Sequence, residues 1–150
     1  MSIIEWHQRT FDELTNVQLY AVLALRSEVF VVEQACIFQD VDGADVHAMH
    51  VLGIQQGILV AYARCFEAGI LFNDASIGRV VTRRSVRRSG AGHAVMEKAL
   101  ACLFERWGYQ PVRIGAQAHL EAFYGRHGFE ASGAAYLEDG ISHIEMLRRV

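Results

Sequence analysis

Two kinds of hydrophobic pattern meet in the middle of the chain, at residues 77–98. Residues 77–81 form an apolar run typical of a β-strand, and from Gly92 onward apolar positions recur at helical spacing. The helical positions share one face and are Val95, Met96, Ala99, Leu103 and Trp107. The pattern therefore predicts a strand, a short polar turn and a helix in direct succession.

The same approach predicts strands and helices along the rest of the chain. Strands are predicted at residues 5–11, 50–55, 58–66, 75–82, 112–117, 131–137 and 141–147. Helices are predicted from a cap at Asp12 or Thr15 to Arg26, from Gly92 to Gly108, and at residues 119–127. A β-prone patch at residues 29–32 has no evident partner strand. The order β-α-β-β-β-α-β-α-β-β favours an α/β fold with a mixed sheet.

Length and composition favour one continuous domain over residues 1–150. The chain has 150 residues, of which 52% are hydrophobic and 21% are charged, as expected of a globular protein. It has a single proline and no linker-like or repeated segment. We see neither a signal peptide nor an apolar run long enough to cross a membrane, so we expect a cytoplasmic protein without membrane contact.

Positive charge is concentrated in one place, although the formal net charge is -3. Four arginines fall within six residues, at Arg83, Arg84, Arg87 and Arg88. An acidic protein whose basic cluster is confined to one loop is not expected to bind nucleic acid. A ligand that carries several phosphates explains the cluster best.

The turn before the helix has the chemistry of a phosphate-binding loop. Gly90 and Gly92 allow the backbone to approach a ligand closely, and the first N–H groups of the helix point into the same space. A Walker-type loop is excluded because His93 stands where lysine is required, and a dinucleotide fingerprint because Val95 stands at its third small position. A turn with solvated arginines remains an alternative.

Residues 36–50 carry side chains that could suggest a metal site: Asp40, Asp42, Asp45, His47 and His50. Their spacing lacks the final glutamate ligand of a calcium loop. We therefore expect no metal and a solvated Asp-Gly turn.

Three arginines lie in otherwise apolar elements, where an unpaired cation is costly: Arg26, Arg64 and Arg79. They would either bind a carboxylate substrate or pair with Glu33 or Asp42. The sequence pattern does not choose between these roles.

The cysteines are Cys36, Cys65 and Cys102, and their odd number and scattered positions argue against disulfides and against a zinc site. Cys65 and Cys102 are predicted to be small core residues. Cys36 is expected to be partly exposed, and no base adjacent in sequence supports a role as a nucleophile.

Two motifs resemble those of the GCN5-related N-acetyltransferase (GNAT) superfamily. The first is Arg-x-x-Gly-x-Gly at residues 87–92, which resembles the acetyl-CoA pyrophosphate loop of that family. The second begins at Gln117, continues with a short helix that carries Tyr124 and ends in Gly128-Phe129. The resemblance implies the GNAT (acyl-CoA N-acyltransferase) fold, with a mixed, mostly antiparallel sheet of six to seven strands flanked by helices.

The resemblance also implies acetyl-CoA, or another acyl-CoA, as co-substrate and no metal. Backbone groups of the strand before the loop would pair with the pantetheine amides, the loop would hold the pyrophosphate, and Gln117 would contact the coenzyme arm. The implied coenzyme-binding residues are Val80, Val81, Thr82, Arg87, Arg88, Ser89, Gly90, Ala91, Gly92, Gln117 and Tyr124.

Acyl transfer to an amine needs a proton donor for the departing thiolate and an acceptor for the proton of the amine. Tyr124 is the predicted general acid, because a phenol with a pKa of about 10 keeps its proton at neutral pH; simple aromatic packing is the alternative. Glu33, His143 and Glu145 are candidate bases, each with a structural role as its alternative. The Val80 N–H is the predicted donor to the oxyanion.

Further runs resemble ElaA-like acyltransferases over essentially the full length. They lie at residues 25–34, 39–43, 61–64, 77–80, 115–119 and 138–144, with Ser142 in place of an expected proline. The run around residues 25–30 also resembles, more distantly, that of acyl-homoserine-lactone synthases.

The resemblance therefore implies an acyl-CoA-dependent N-acyltransferase that moves acetyl to an amine of a small molecule or peptide by direct attack in a ternary complex. Two alternatives stay open: a CoA-binding sensor or interaction module with little catalysis, and an enzyme like the acyl-homoserine-lactone synthases. The acceptor and the formation of a homodimer stay open as well.

Overall fold

The computed structural model describes residues 3–150, and eight strands form one mixed sheet. The strands are β1 Glu5–Thr10, β2 Met49–Gln55, β3 Ile58–Phe66, β4 Ala75–Thr82, β5 Val112–Gln117, β6 Phe129–Ala131, β7 Tyr136–Glu138 and β8 Ile141–Arg148. Their order is β1-β2-β3-β4-β5-β8-β6, with β7 also paired to β8. Among the described strands only β4 and β5 pair in parallel. The predicted α/β fold with a mostly antiparallel sheet is confirmed.

Three α-helices lie against the sheet: α1 Asn16–Arg26, α2 Ala91–Trp107 and α3 Glu121–Gly125. Thr15 caps α1, as predicted, through a capping box with Gln18 that satisfies one backbone N–H at each residue. Gly108, with φ of 91°, follows the last residue of α2. No helix within residues 3–150 is long and apolar enough to cross a membrane.

The hydrophobic core lies on both faces of the sheet. On one face α2 buries Val95, Met96, Ala99 and Leu103, the positions predicted from its spacing, while Trp107 is partly buried. On the other face α1 buries Val22 and Leu25 against β2, β3 and β4. Cys65 and Cys102 are core residues as predicted, whereas Cys36 is also buried and not partly exposed as expected.

The β-prone patch at residues 29–32 does not form a strand. Ser27–Glu33 continues α1 as a π-helical segment, in which the Gln34 N–H donates to the Val29 carbonyl over 3.1 Å. Val29 is buried in the cluster of Leu25, which extends the apolar face of α1. Tertiary packing of that face overrides the β preference of the branched side chains.

The end of the chain contains three strands where we predicted a two-stranded hairpin. The predicted strand at residues 131–137 is divided into β6 and β7, which pair with successive parts of the same edge of β8. The intervening Ser132 is occupied by hydrogen bonds to Glu145. This division raises the strand count to eight, one above the predicted range.

Strands β4 and β5 diverge soon after they meet. Their pairing is confined to Ala75 with Val112 and Ser76 with Arg113, so the rest of both strands is separated. A parallel pair that splays in this way opens a gap in the middle of the sheet.

His50 of β2 is completely buried, in contact with the loop before this strand and with β3. The carbonyl of Asp45 can only accept, so the His50 Nε2–H donates to it over 2.9 Å, and the Tyr62 hydroxyl donates to Nδ1 over 2.6 Å. Burial lowers the pKa of His50 because the imidazolium is poorly solvated there.

We expect the stability of the protein to fall as the pH drops below about 6.5, the pKa of an exposed histidine. The unfolded chain takes up a proton at His50 in that range, whereas the folded chain does so only at lower pH. In urea unfolding followed from pH 8 to pH 5, His50→Gln should show a shallower decline. Some decline of stability with pH should remain in this variant, because burial also lowers the pKa of His127. An unchanged slope in His50→Gln would contradict this assignment.

Candidate active site

A cleft of about 770 Å³ lies in the gap between β4 and β5. One wall is β4 from Ser76 to Thr82, and the other includes Ile114, Gly115 and Gln117 of β5. The π-helical segment, the loop that follows it, α3 and the turn between β7 and β8 contribute further lining residues. The cleft therefore passes from one face of the sheet to the other.

A β-bulge in β4 lies directly on the cleft. Tyr62 pairs with Val81 and Arg64 with Gly78, so Arg79 and Val80 together oppose the single residue Ala63. Arg79 has φ of 49°, in the left-handed region. A bulge leaves its extra residue outside the ladder, which places the Val80 peptide for contact with a ligand in the cleft.

Arg26 and Arg79 converge on Asp40. Arg26 has no exposed surface, and its Nε lies 2.9 Å from Asp40 Oδ2, while the Nε of Arg79 lies 2.8 Å from Oδ1. The guanidinium groups also donate to the Asp40 carbonyl. These bonds tie the end of α1 to the bulge of β4.

A second part of the same network is centred on Asp45. Its Oδ1 accepts from Arg26 over 2.7 Å and from Arg64 over 2.9 Å. Arg64 makes two further bonds to Asp42, and the guanidinium holds the pKa of that carboxyl well below its usual range. Three arginines thus balance three aspartates. The prediction of a solvated loop around the Asp-Gly turn is wrong for Asp40 and Asp45, which are buried.

The network answers the question that the sequence left open for the three arginines. They pair with aspartates of this chain, and only Asp42 was among the partners considered. Within residues 3–150 no three histidine, cysteine or acidic side chains are arranged as metal ligands. One donor stays without a partner in the described chain at the cleft wall, the buried Nε of Arg64.

The basic turn lies beyond the end of β4. Residues Arg84–Val86 form a short 3₁₀ turn, and Arg88 and Gly90 have φ of 65° and 86°. Gly90 precedes α2, whose first N–H groups carry no side-chain cap. Exposed arginine beside free helix N–H groups gives an anion-binding geometry.

Gly92 has a packing role that the sequence did not indicate. A Cβ there would lie 3.3 Å from Cε1 of Phe123, so the lack of a side chain permits α3 to approach α2. Of the predicted loop residues only Arg87 lines the cleft, and Arg88, Ser89, Gly90, Ala91 and Gly92 lie beside it at the start of α2.

Arg87 is held by two partners at once. Its guanidinium makes two bonds to Glu33, one of 3.0 Å, and Nη2 donates to the Thr82 carbonyl over 2.9 Å. The guanidinium keeps the pKa of Glu33 below its usual range, which weakens this carboxylate as a base. The pair connects the π-helical segment to the basic turn.

Tyr124 projects from α3 into the cleft wall. It is 8% exposed, and burial raises its pKa to about 12. The ring packs edge-on against Phe123 and Phe129. Its hydroxyl makes no hydrogen bond to any residue that the structure describes, so it can act on a ligand. Both predicted roles of the residue, packing and proton donation, are compatible with this position.

His143 lies on β8, opposite Gln117 of β5, and both line the cleft. The His143 Nδ1–H donates to the Ile141 carbonyl over 2.8 Å, and the ring stacks on Tyr136. Its Nε2 lies 3.5 Å from Oε2 of Glu138. Gln117 donates to Gln34 over 3.2 Å, which bridges the cleft between β5 and the end of the π-helical segment.

Two residues of the cleft were missed by the sequence reasoning. Glu138 was seen only as part of an acidic turn, and Tyr136 was not singled out. The lack of a side chain at Gly115 makes room for Tyr136, because a Cβ at that glycine would lie 2.8 Å from the Tyr136 hydroxyl oxygen. A glycine within a strand does not by itself reveal this contact across the sheet.

Comparison with known proteins adds independent information. A model of the acetyltransferase (GNAT) domain matches residues 26–150. Protein ElaA of Escherichia coli (strain K12) is 43% identical over 150 residues, covering 99% of this chain and 98% of that protein. Its crystal structure superposes with a TM-score of 0.92, covering 98% of this chain and 100% of that chain. The crystal structure of an acyl-CoA N-acyltransferase from Pseudomonas aeruginosa is 44% identical in sequence and superposes with a TM-score of 0.92, covering 97% of this chain and 99% of that chain.

We expect Asp40→Asn to destabilise the fold by about 3–5 kcal/mol, because it leaves buried Arg26 and its neighbour Arg79 short of a carboxylate. Urea unfolding at pH 7 measures the loss. Glu28→Gln is the matched control, since it removes a carboxylate whose contact with Arg83 is exposed and should cost no more than about 1 kcal/mol. Equal effects would show that the buried network has no special importance for stability.

Proposed function

The chain belongs to the acetyltransferase (GNAT) family, and we propose that it is an N-acyltransferase that moves acetyl from acetyl-CoA to an amine of a small molecule or peptide. The observation that carries the proposal is the cleft between β4 and β5. It joins a bulged strand edge to a basic helix N-terminus and has the buried residue Tyr124 in its wall.

The residues along the cleft suit the parts of acetyl-CoA in order. Arg87, Arg88 and the free N–H groups of α2 would hold the pyrophosphate. Backbone groups of residues 80–82, on the side of β4 that β5 leaves open, would pair with the pantetheine amides. Gln117 would contact the same arm from the opposite wall.

Arg87 fits this assignment only if its bonds are exchanged. Glu33 and the Thr82 carbonyl occupy the guanidinium in the described chain. A pyrophosphate at Arg87 would compete with Glu33 for the same N–H groups, and its higher charge favours the exchange. The positions of Arg88 and of the helix N–H groups require no such change.

His143 is better suited than Glu33 to accept the proton of the amine. The bond from Nδ1–H to Ile141 leaves the lone pair of a neutral ring on Nε2, at the acceptor side of the cleft. Glu33 is bound to Arg87, which lowers its basicity. Glu145 is bound to Arg113 over 2.8 Å and is not a cleft residue.

The proposed transfer is a direct attack. The nitrogen of the amine forms a bond to the thioester carbon, the C–S bond breaks, and the amine proton passes to His143. The Val80 N–H would stabilise the oxyanion, and Tyr124 would protonate the thiolate. The burial that raises the pKa of Tyr124 to about 12 also raises that of a thiol formed beside it, so donation stays feasible. Amide and free CoA are the products, and proton return from His143 restores the phenol.

We expect Tyr124→Phe to lower kcat for acetyl transfer about 100-fold, the usual contribution of a general acid. The affinity for acetyl-CoA, measured by isothermal titration, should barely change because only the hydroxyl is removed. Tyr20→Phe, at an exposed position on α1, is the matched control and should retain full activity. Unchanged turnover in Tyr124→Phe would remove this residue from the mechanism.

We expect Arg88→Glu to weaken acetyl-CoA binding at least about tenfold, a loss of roughly 1.4 kcal/mol, because it places a negative charge beside the pyrophosphate. Isothermal titration measures the change. Arg149→Glu alters the net charge equally at an exposed position near the C-terminus and should bind normally. Gly92→Asp is less useful, since its Cβ would lie only 3.3 Å from Cε1 of Phe123, so a change in binding would not report on charge alone.

The same titration separates the proposal from its alternative. Absence of binding by the unsubstituted protein would reject the coenzyme site. Binding with no transfer to any amine would favour a CoA-binding sensor.

A further inference from the structure

The acceptor side of the cleft carries negative charge that no lysine or arginine of the described chain offsets. The arginines in the cleft walls already pair with carboxylates: Arg64, Arg79 and Arg87. Glu138 and Asp139, in the turn between β7 and β8, have no lysine or arginine partner within residues 3–150. Both line the cleft. This end of the cleft is therefore complementary to a cation.

When the His143 ring is neutral, no donor lies between His143 and Glu138. His143 is 8% exposed, and its Nδ1–H is used by the Ile141 carbonyl, so the neutral ring offers a lone pair at Nε2. Oε2 of Glu138, 3.5 Å from that nitrogen, is also an acceptor. Two acceptors that face one another in the described chain are satisfied by a ligand that brings N–H groups.

The register of the sheet places this pair on the acceptor face. Opposed residues of an antiparallel pair lie on the same face, so Gln117, His143 and Tyr136 share one side of the sheet. Gly115 leaves room there for the Tyr136 ring, which stacks on His143 with 5.8 Å between centroids. Phe30 and Phe72 add apolar surface to the cleft.

We propose that the acceptor is a primary aliphatic amine that enters as its ammonium ion and is bound between Nε2 of His143 and Oε2 of Glu138. This inference rests on the proposed acyltransferase function and names its substrate class. The ammonium donates to both acceptors, and Glu138 balances its charge. His143 takes the proton that must leave before attack and releases it to solvent, so the ring is neutral again when the attacking nitrogen loses its second proton. The aromatic and apolar surface accommodates the alkyl chain.

The same geometry disfavours amines that carry an adjacent carboxylate, such as α-amino acids. Their carboxylate would approach Glu138 and Asp139, and every arginine of the cleft walls is already paired. Arg64 still offers a free Nε–H, but Asp42 and Asp45 balance its charge. It therefore supplies a hydrogen bond without a net positive charge.

The test compares n-butylamine with 2-aminopentanoate, which has nearly the same carbon chain and adds an α-carboxylate. Acetyl transfer by the unsubstituted protein should favour n-butylamine at least tenfold in kcat/KM. Glu138→Gln should raise the KM for n-butylamine at least tenfold and affect kcat less, because it removes a binding charge and not the base. Glu130→Gln, an equal change at an exposed position of β6 outside the cleft, should behave as the unsubstituted protein.

Isothermal titration of n-butylamine in the presence of coenzyme A tests the binding independently of transfer. Loss of affinity in Glu138→Gln but not in Glu130→Gln supports the inference even if no acetyl is transferred, an outcome that would reject only the proposed function. Preference for 2-aminopentanoate, or equal binding and KM in the two variants, would overturn the inference while transfer itself still stood. Thermal unfolding checks that both variants are folded.

Discussion

The buried ion network around Arg26 is the constraint on which the geometry of the cleft depends. A guanidinium with no exposed surface must be paired, since an isolated buried charge costs far more than a folded domain can offset. Asp40 and Asp45 satisfy this requirement from a loop outside the sheet. Because each aspartate also binds a second arginine, the loop, α1, β3 and β4 are fixed relative to one another by one set of contacts.

The position of the bulge follows from that network. Arg79 has φ of 49°, a conformation that costs free energy for a residue with a side chain, and its guanidinium is held by Asp40. The same distortion takes Val80 out of register with β3 and toward the gap where β5 turns away. The ion pair of Arg79 on one side of β4 thus helps to position the Val80 backbone toward the cleft on the other side.

Much of this arrangement was predictable from the sequence because it depends on neighbours along the chain. The strand, turn and helix over residues 75–107 and the hairpin of β2 and β3 follow from periodicity and turn residues. The network was not predictable in the same way, since Arg79 and Asp40 are 39 positions apart and opposite charges at such separations give no periodic signal. Residues 29–32 are β-prone because branched side chains favour strands locally, whereas the π-helical conformation depends on the burial of Val29, which is a tertiary effect. Gly92 and Gly115 matter for contacts with Phe123 and Tyr136, which only the folded chain brings together.

The two ends of the cleft differ in charge although the walls contain similar numbers of acidic and basic groups. At the basic turn, Arg88 adds positive charge next to the N-terminus of α2, whose dipole has the same sign. At the turn between β7 and β8, Glu138 and Asp139 have no lysine or arginine partner in the described chain, while Arg64 and Arg79, nearer the centre, are neutralised by Asp42 and Asp40. The pairing in the middle thus removes the field of the central charges and leaves that of the two ends. An anionic coenzyme and a cationic acceptor match this distribution when the anion lies at the basic turn and the cation lies at the acidic turn. The reverse arrangement would place like charges together at both ends.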